Sequence, residues 1–249
     1  MLRCSRVLFT VSVVVPFVAC ARDARVAQLE RRVDSLAITV TALVSARQRG
    51  GDAPALSESL TVSLAGAAVA GDPRAPVVIV EFTDYQCPFC GRHFETTLPE
   101  IRSRYVNTGK VRYVVRDMPL TDIHRYALAA AKAARCAAAQ GAERYWRYHD
   151  ALFTRQKEIA DALLARLARQ AGLNLSAFSA CTASPLTAAL VERDASDGHR
   201  AGFNGTPGFV IGRAAGDSVH GVVIRGAYPF ALFQQAIDAA LAEPRLAVQ

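Results

Sequence analysis

The sequence predicts an α/β domain with a helical subdomain inserted into it and a short helical stalk ahead of it. Three observations carry this. Val77-Val78-Ile79-Val80-Glu81-Phe82 is a β-branched run of strand length, apolar on both faces, as in a buried sheet. It passes through the turn Thr83-Asp84-Tyr85-Gln86 into a helix that opens at Cys87, with Pro88 in the first position, where proline is best tolerated. From about residue 120 to 204 the pattern is helical throughout, alanine and leucine runs punctuated by Gly141, Gly172 and Pro185, with strand-like segments at 110–116 and 209–211 on either side. A strand at 219–225 and a helix at 229–242 close the chain.

At 249 residues, 51% hydrophobic and 20% charged, the chain is globular and can bury a real core. Its net charge of +7 includes Arg3 and Arg6 of the leader described next, without which 27 basic residues face 22 acidic ones. No run of five Lys/Arg occurs and no aromatic–basic interleaving, so nucleic acid is not the partner.

Residues 1–19 have the layout of an export signal: a positive start at Arg3 and Arg6, then an apolar run too short to span a membrane. The ending Val18-Ala19-Cys20 resembles a bacterial lipoprotein signal, departing from it at Phe17, where an aliphatic residue is usual. That resemblance implies acylation of Cys20 and, with Ala21 following, the outer membrane. An ordinary signal with an incidental cysteine, giving a soluble periplasmic protein, is the alternative. Residues 20–47 form the stalk. Val26, Leu29, Val33, Leu36, Val40 and Leu43 repeat at spacings of three and four, valine at a and leucine at d, as in a two-stranded coiled coil. A homodimer follows from that reading; an amphipathic helix lying on its own domain or on the membrane is the other. Residues 48–59 read as a linker through Gly50-Gly51 and Pro54, and 60–249 as the folded domain.

The chemistry lies in Cys87-Pro88-Phe89-Cys90. A C-x-x-C after a strand and at a helix start is a strong redox signal. Cys87 faces the unsatisfied N–H groups and the positive end of the helix, which favours its thiolate. Cys90, one turn on, lies within bonding reach of it. Cys87 is thus the attacking thiol and Cys90 the resolving one. A zinc site would need two further ligands at short spacing, and only His93 stands nearby, so no metal is expected.

Residues 80–90, the alanine-rich helices and Gly205-Thr206-Pro207-Gly208-Phe209-Val210-Ile211 together resemble the DsbA-like branch of the thioredoxin superfamily, over about residues 60–242. The resemblance implies a thioredoxin fold and a protein thiol–disulfide oxidoreductase needing no cofactor. Its partners would be protein substrates and a membrane redox partner that recycles the site. Pro207 would be cis and lie with Thr206 against the sulfurs, beside Pro88 and Phe89; a trans turn proline is the alternative. Glu81 would sit beneath Cys90 and accept its proton, with burial raising its pKa, whereas strand alternation would equally permit an exposed face. Cys136 and Cys181 remain in predicted helices; some exported members of the family bridge such a pair, and two free buried cysteines are the other possibility. His93 and His124 read as ordinary helix or cap histidines, and Tyr145, Trp146 and Phe153 as core.

Fold resemblance favours a dithiol oxidase. Phe89 between the cysteines cannot donate a hydrogen bond to the thiolate, which weakens the oxidising poise, and Thr206 and a dimerising stalk would suit a disulfide isomerase or reductase. An intact cysteine pair argues against a non-catalytic binding module.

Overall fold

The computed structural model describes residues 58–64 and 68–243, with Leu56 and the short pieces 28–29 and 32–33. The chain divides into two units, Met1–Ala53 and Pro54–Gln249. In the first, the described pieces are helical, with Leu29 and Val33 exposed. The signal segment, Cys20 and the rest of the stalk lie outside the described residues. Among those described, no helix is long and apolar enough to cross a membrane.

The second unit is built on β3 (Val77–Thr83), all seven residues of which are buried. Parallel β4 (Val111–Asp117) lies on one side and antiparallel β5 (Gly208–Ala215) on the other. Beyond β5 come β6 (Ser218–Arg225) and β1 (Ser59–Ser63); β2 (Ala68–Ala70) edges β4, completing six strands. Gly212 and Gly221 face each other across β5 and β6, where a Cβ on either would come within 2.0–2.1 Å of a carbonyl oxygen opposite. Alternation sends Val77, Ile79 and Glu81 to one face and Val78, Val80 and Phe82 to the other. The first face packs the larger core with Tyr113, Phe209 and Phe233; the second packs Val62, Met118, Phe203 and Val210.

Helix α1 (Pro88–Thr96) follows β3 and bends at Thr97 into α2 (Leu98–Ile101), where Pro99 removes a backbone donor. The insertion holds α3 (Ala127–Ala138), α4 (Ala142–Thr154), α5 (Asp161–Gln170), α6 (Leu175–Ala183) and α7 (Pro185–Arg200). Alanine side chains let α3 be buried along much of its length. Asn174 and Ser184 cap α6 and α7 by accepting from the N–H groups of Ala177 and Leu186. A disulfide joins Cys136 of α3 to Cys181 of α6. A buried ionic cluster ties α3 and α7 to the end of β4: Arg116 donates to Asp194 (2.7 Å) and Asp197, and Arg135 to Asp117 (2.9 Å) and Asp194. Helix α8 (Phe230–Ala242) closes the sheet.

Two strands depart from the sequence expectation. β1 and β2 were not legible, and β1 shortens the linker expected at 48–59. Ser59 pairs with Val222, the Val223 N–H donates to Glu58 O, and both Arg225 guanidinium nitrogens reach the Glu58 carboxylate at 2.7 Å. Backbone pairing, with Val62 in the core and the ion pair between Arg225 and Glu58, draws these residues into the sheet.

Candidate active site

Cys87 is the N-cap of α1, in extended conformation with Pro88 next in the first turn. The preceding loop is pinned from several sides. Asp84 accepts from the N–H groups of Gln86 (2.7 Å) and Leu120 (2.8 Å) and pairs with His124 (2.7 Å). Gln156, just after α4, donates its amide to the carbonyls of Tyr85 and Cys87, both at 2.9 Å. Gly91 makes room for this clamp, since a Cβ there would meet Gln156 Oε1 at 2.5 Å. Gln156 escaped the sequence reading: it lies 69 residues from Cys87 and no local pattern marks it.

Cys87 and Cys90 are both free thiols and both buried. A hydrogen bond from the Cys90 thiol, then Thr206 and the N–H groups of Cys90 and Phe89, holds Cys87 down to about 6 against the opposing effect of burial. Burial pushes Cys90 far up, and the neighbouring Cys87 adds to it. The pair is thus split into an ionisable outer sulfur and a protonated inner one. The Thr206–Pro207 bond is cis, and Thr206 O lies 3.2 Å from Cys87 Sγ, which donates to it as a thiol. The Thr206 hydroxyl, buried with no other partner, is the donor left for the thiolate. Phe89 is half exposed, with the Arg92 guanidinium 5.1 Å above its ring. It rims a cleft of about 800 Å³ shared with Arg92, Thr206, Arg225, Tyr228 and Phe230.

Glu81 is 2% exposed, so the exposed-face alternative does not hold. Burial raises it to about 7, against the pull of two hydroxyl donors, Tyr113 at 2.6 Å and Thr83 at 2.9 Å. The negative field of Glu81 in turn helps keep Cys90 protonated. His93, read from sequence as an ordinary helix histidine, is buried on the inner face of α1, and its Nε2 lies 3.0 Å from the Tyr113 hydroxyl. Burial, then nearby His149, pushes it down to about 3. Tyr145 and Phe153 are core residues and Trp146 is partly buried, donating to Val69 O. Cys136 and Cys181, joined in the insertion, take no part in this cluster. Among the described residues, no group of three or more His, Cys, Asp or Glu could hold a metal ion.

A family model described as thioredoxin matches residues 64–223. The chain is 36% identical over 178 residues to the Na(+)/H(+) antiporter NhaA 3 of Salinispora tropica, covering 72% of this chain and 25% of the relative. It spans about a quarter of the length of the antiporter relatives it matches. Among solved structures it resembles alpha-DsbA1 of Wolbachia pipientis (TM-score 0.62, 24% identity, 72% of this chain and 93% of that one). It also resembles a thioredoxin-like oxidoreductase of Silicibacter pomeroyi DSS-3 (TM-score 0.58, 28% identity, 72% and 95%).

Proposed function

The chain belongs to the thioredoxin family, and from that premise we propose that it is a DsbA-like thiol–disulfide oxidoreductase that exchanges disulfides with protein substrates through Cys87 and Cys90 as a dithiol oxidase. The observation that carries this reading is the placement of the pair: Cys87 caps α1 against Thr206 and cis Pro207, where its sulfur is held down to about 6, and Cys90 is buried one turn on, where its sulfur is pushed far up. A stabilised Cys87 thiolate favours the reduced protein, which makes the disulfide form an oxidant.

In the oxidised protein, a substrate thiolate attacks Cys87 Sγ. The Cys87–Cys90 bond breaks, and Cys90 leaves with the electron pair and takes a proton from the Glu81 carboxylic acid. A second substrate thiolate then attacks the substrate sulfur of the mixed disulfide, and Cys87 departs as thiolate. Two electrons and one proton have moved to the cysteine pair, leaving Glu81 ionised. A membrane redox partner that accepts the two electrons restores the disulfide. Thr206 and cis Pro207 line the approach to Cys87, and Pro88 and Phe89 form the exposed rim against which a substrate chain lies. The bridge between Cys136 and Cys181 serves structure only: it closes a loop of 45 residues, worth about 4 kcal/mol in the loop-entropy account.

In this reading the protein works on the periplasmic side of a bacterial envelope, where thiols meet an oxidising compartment. Residues 1–19 direct export, acylated Cys20 anchors it, and residues 20–47 pair two copies; the sequence pattern is the support for each. One observation favours a second reading, a disulfide isomerase or reductase acting as a dimer. Phe89 stands half exposed and offers Cys87 no side-chain hydrogen bond, so the poise is set without it. Equilibration of the full chain with glutathione redox buffers separates the oxidase from a reductase. A potential well above thioredoxin's, at about −200 mV or higher, is expected, and one near about −270 mV refutes the oxidase reading.

A further inference from the structure

Glu81 is held by two hydroxyl donors, and one of those is itself held from behind. Tyr113 Oη donates to Glu81 Oε2 at 2.6 Å, and His93 Nε2 lies 3.0 Å from the same oxygen. A phenol has a single proton, and here it is committed to Glu81. The second bond must therefore run from His93 Nε2–H to Tyr113, which assigns the tautomer and leaves Nδ1 a bare lone pair. Nδ1 is buried and has no partner, a state an imidazole acceptor bears better than an orphaned N–H donor. The ring is wedged between Phe209 and Phe233, at centroid distances of 4.5 and 5.2 Å. Its neutral form persists through the working pH range because burial holds it at about 3.

We propose that His93 and Tyr113 are positioning residues of the exchange reaction, forming a hydrogen-bond chain from His93 through Tyr113 to Glu81 that keeps the Glu81 carboxylate available as the acceptor for the Cys90 proton. This rests on the reading of Glu81 as the group that exchanges a proton with Cys90, giving it up when the Cys87–Cys90 bond breaks and taking it back when that bond re-forms. The step served is the closing of a mixed disulfide. As the Cys87–Cys90 disulfide is restored, the Cys90 S–H bond breaks, its proton passes to Glu81, and the Cys90 sulfur attacks Cys87 Sγ while the other sulfur of the mixed disulfide leaves with the electron pair. An acid that burial keeps protonated cannot take that proton. A donor favours the ionised form, and a phenol that itself accepts from His93 is the stronger donor for it.

The remaining groups around Glu81 leave this task to the chain. On its own strand Thr83 supplies the second donor. From α1, Cys87 and Cys90 bring negative charge when ionised, which raises Glu81. Arg102, after α2, lowers it from a distance, but its two guanidinium nitrogens reach Asp150 of α4 at 2.8 Å. Tyr85 and Tyr145 are buried phenols bonded to each other. Burial pushes His149 on α4 down, against the opposing pull of Asp150 beside it. The strand neighbours opposite Glu81, Val115 and Phe209, are apolar.

The test is a single-turnover measurement on the full chain: release of glutathione from its mixed disulfide with Cys87, followed from pH 5 to 9. Tyr113→Phe removes one hydroxyl and keeps the ring. Its rate profile is expected to move up by about one to two pH units, the equivalent of one hydrogen bond to a charged group, with release at pH 7 about tenfold slower. The pH midpoint of Cys87 alkylation by iodoacetamide is expected to stay in place. His93→Phe should move the release profile the same way by less, and His93→Gln, which puts an amide N–H near the position of Nε2, should restore it. If the histidine variants do not fold, Tyr113→Phe alone decides. A Tyr113→Phe rate lowered by one factor at every pH, or an unmoved profile, overturns the proposal. Should Glu81→Gln retain the wild-type profile, the premise fails instead, because Glu81 is then not the acceptor.

Discussion

A buried acid that serves chemistry has a stability cost, and its size can be worked out for Glu81. The unfolded chain ionises this side chain near 4.5, whereas burial holds it at about 7 in the fold. Between those values the folded protein binds a proton that the unfolded chain has released, so stability falls as pH rises through the window. At about 1.4 kcal/mol per pH unit, the gap corresponds to about 3 kcal/mol. Below 4.5 both states hold the acid and the cost is absent; above 7 both hold the carboxylate and it is complete. Glu81→Gln removes the titration and keeps the shape. Its amide oxygen accepts from Tyr113, and its NH₂ donates to a Thr83 hydroxyl that has turned to accept. The measurement is urea unfolding of both proteins with the active-site pair reduced, from pH 4 to 8.5. The difference in unfolding free energy is expected to swing by about 3 kcal/mol in favour of Gln between pH 4.5 and 7 and to be flat outside that range. Asp117, which burial likewise raises, to about 6, titrates in both proteins and cancels. A difference curve that is flat throughout would refute the claim that Glu81 is buried as a raised acid.

Two further outcomes follow from other parts of the molecule. Cys90→Ser should accumulate mixed disulfides between Cys87 and substrate proteins, visible on non-reducing gels, while Cys87→Ser should form none and show no turnover; turnover in either variant ends the division of roles between the two sulfurs. Asp194 is fully buried and takes hydrogen bonds from both Arg116 and Arg135, so Asp194→Ala should cost about 3 kcal/mol by removing the carboxylate the two guanidinium groups share and leaving Asp197 and Asp117 as their acidic partners. Thermal unfolding would show a loss of that size, whereas removal of exposed Arg200, paired with Asp197 at the surface, should cost under about 1 kcal/mol.

What the sequence made legible was local. The strand before the motif and the helix start at Cys87 each rest on a pattern within about twenty residues and stand in the fold within a residue or two; the alanine-rich insertion, expected as helical from about 120 to 204, has its helices between Ala127 and Arg200. β1 and β2 offered only a short pattern. In Ser59–Ser63 only Leu60 and Val62 alternate against exposed positions, and β2 is three residues long. Short edge strands of this kind are made by the neighbour they pair with. Gln156 is of the same sort, a side chain whose role is to reach two carbonyls about 70 residues away.

Tyr113 is different, because a rule could have found it. Val111, Tyr113 and Val115 alternate onto one face of β4, and the parallel register sets Tyr113 opposite Ile79 and Val115 opposite Glu81. A long side chain reaches its diagonal neighbour on the same face, so the phenol was placed to meet the carboxylate once β3 and β4 were taken as adjacent parallel strands. A Glu inside a fully buried strand needs donors, and the hydroxyls two residues along its own strand and diagonally across the next are the ones in reach. His93 could not be found this way, since its meeting with Tyr113 depends on how α1 crosses the sheet. The residues that bring Glu81 back towards neutral pH are also those that limit its cost to about 3 kcal/mol. If Tyr113 were lost, the acid would be held higher in the fold, and stability would fall further as pH rose towards that value. Reactivity and stability therefore constrain the same two hydroxyls in the same direction.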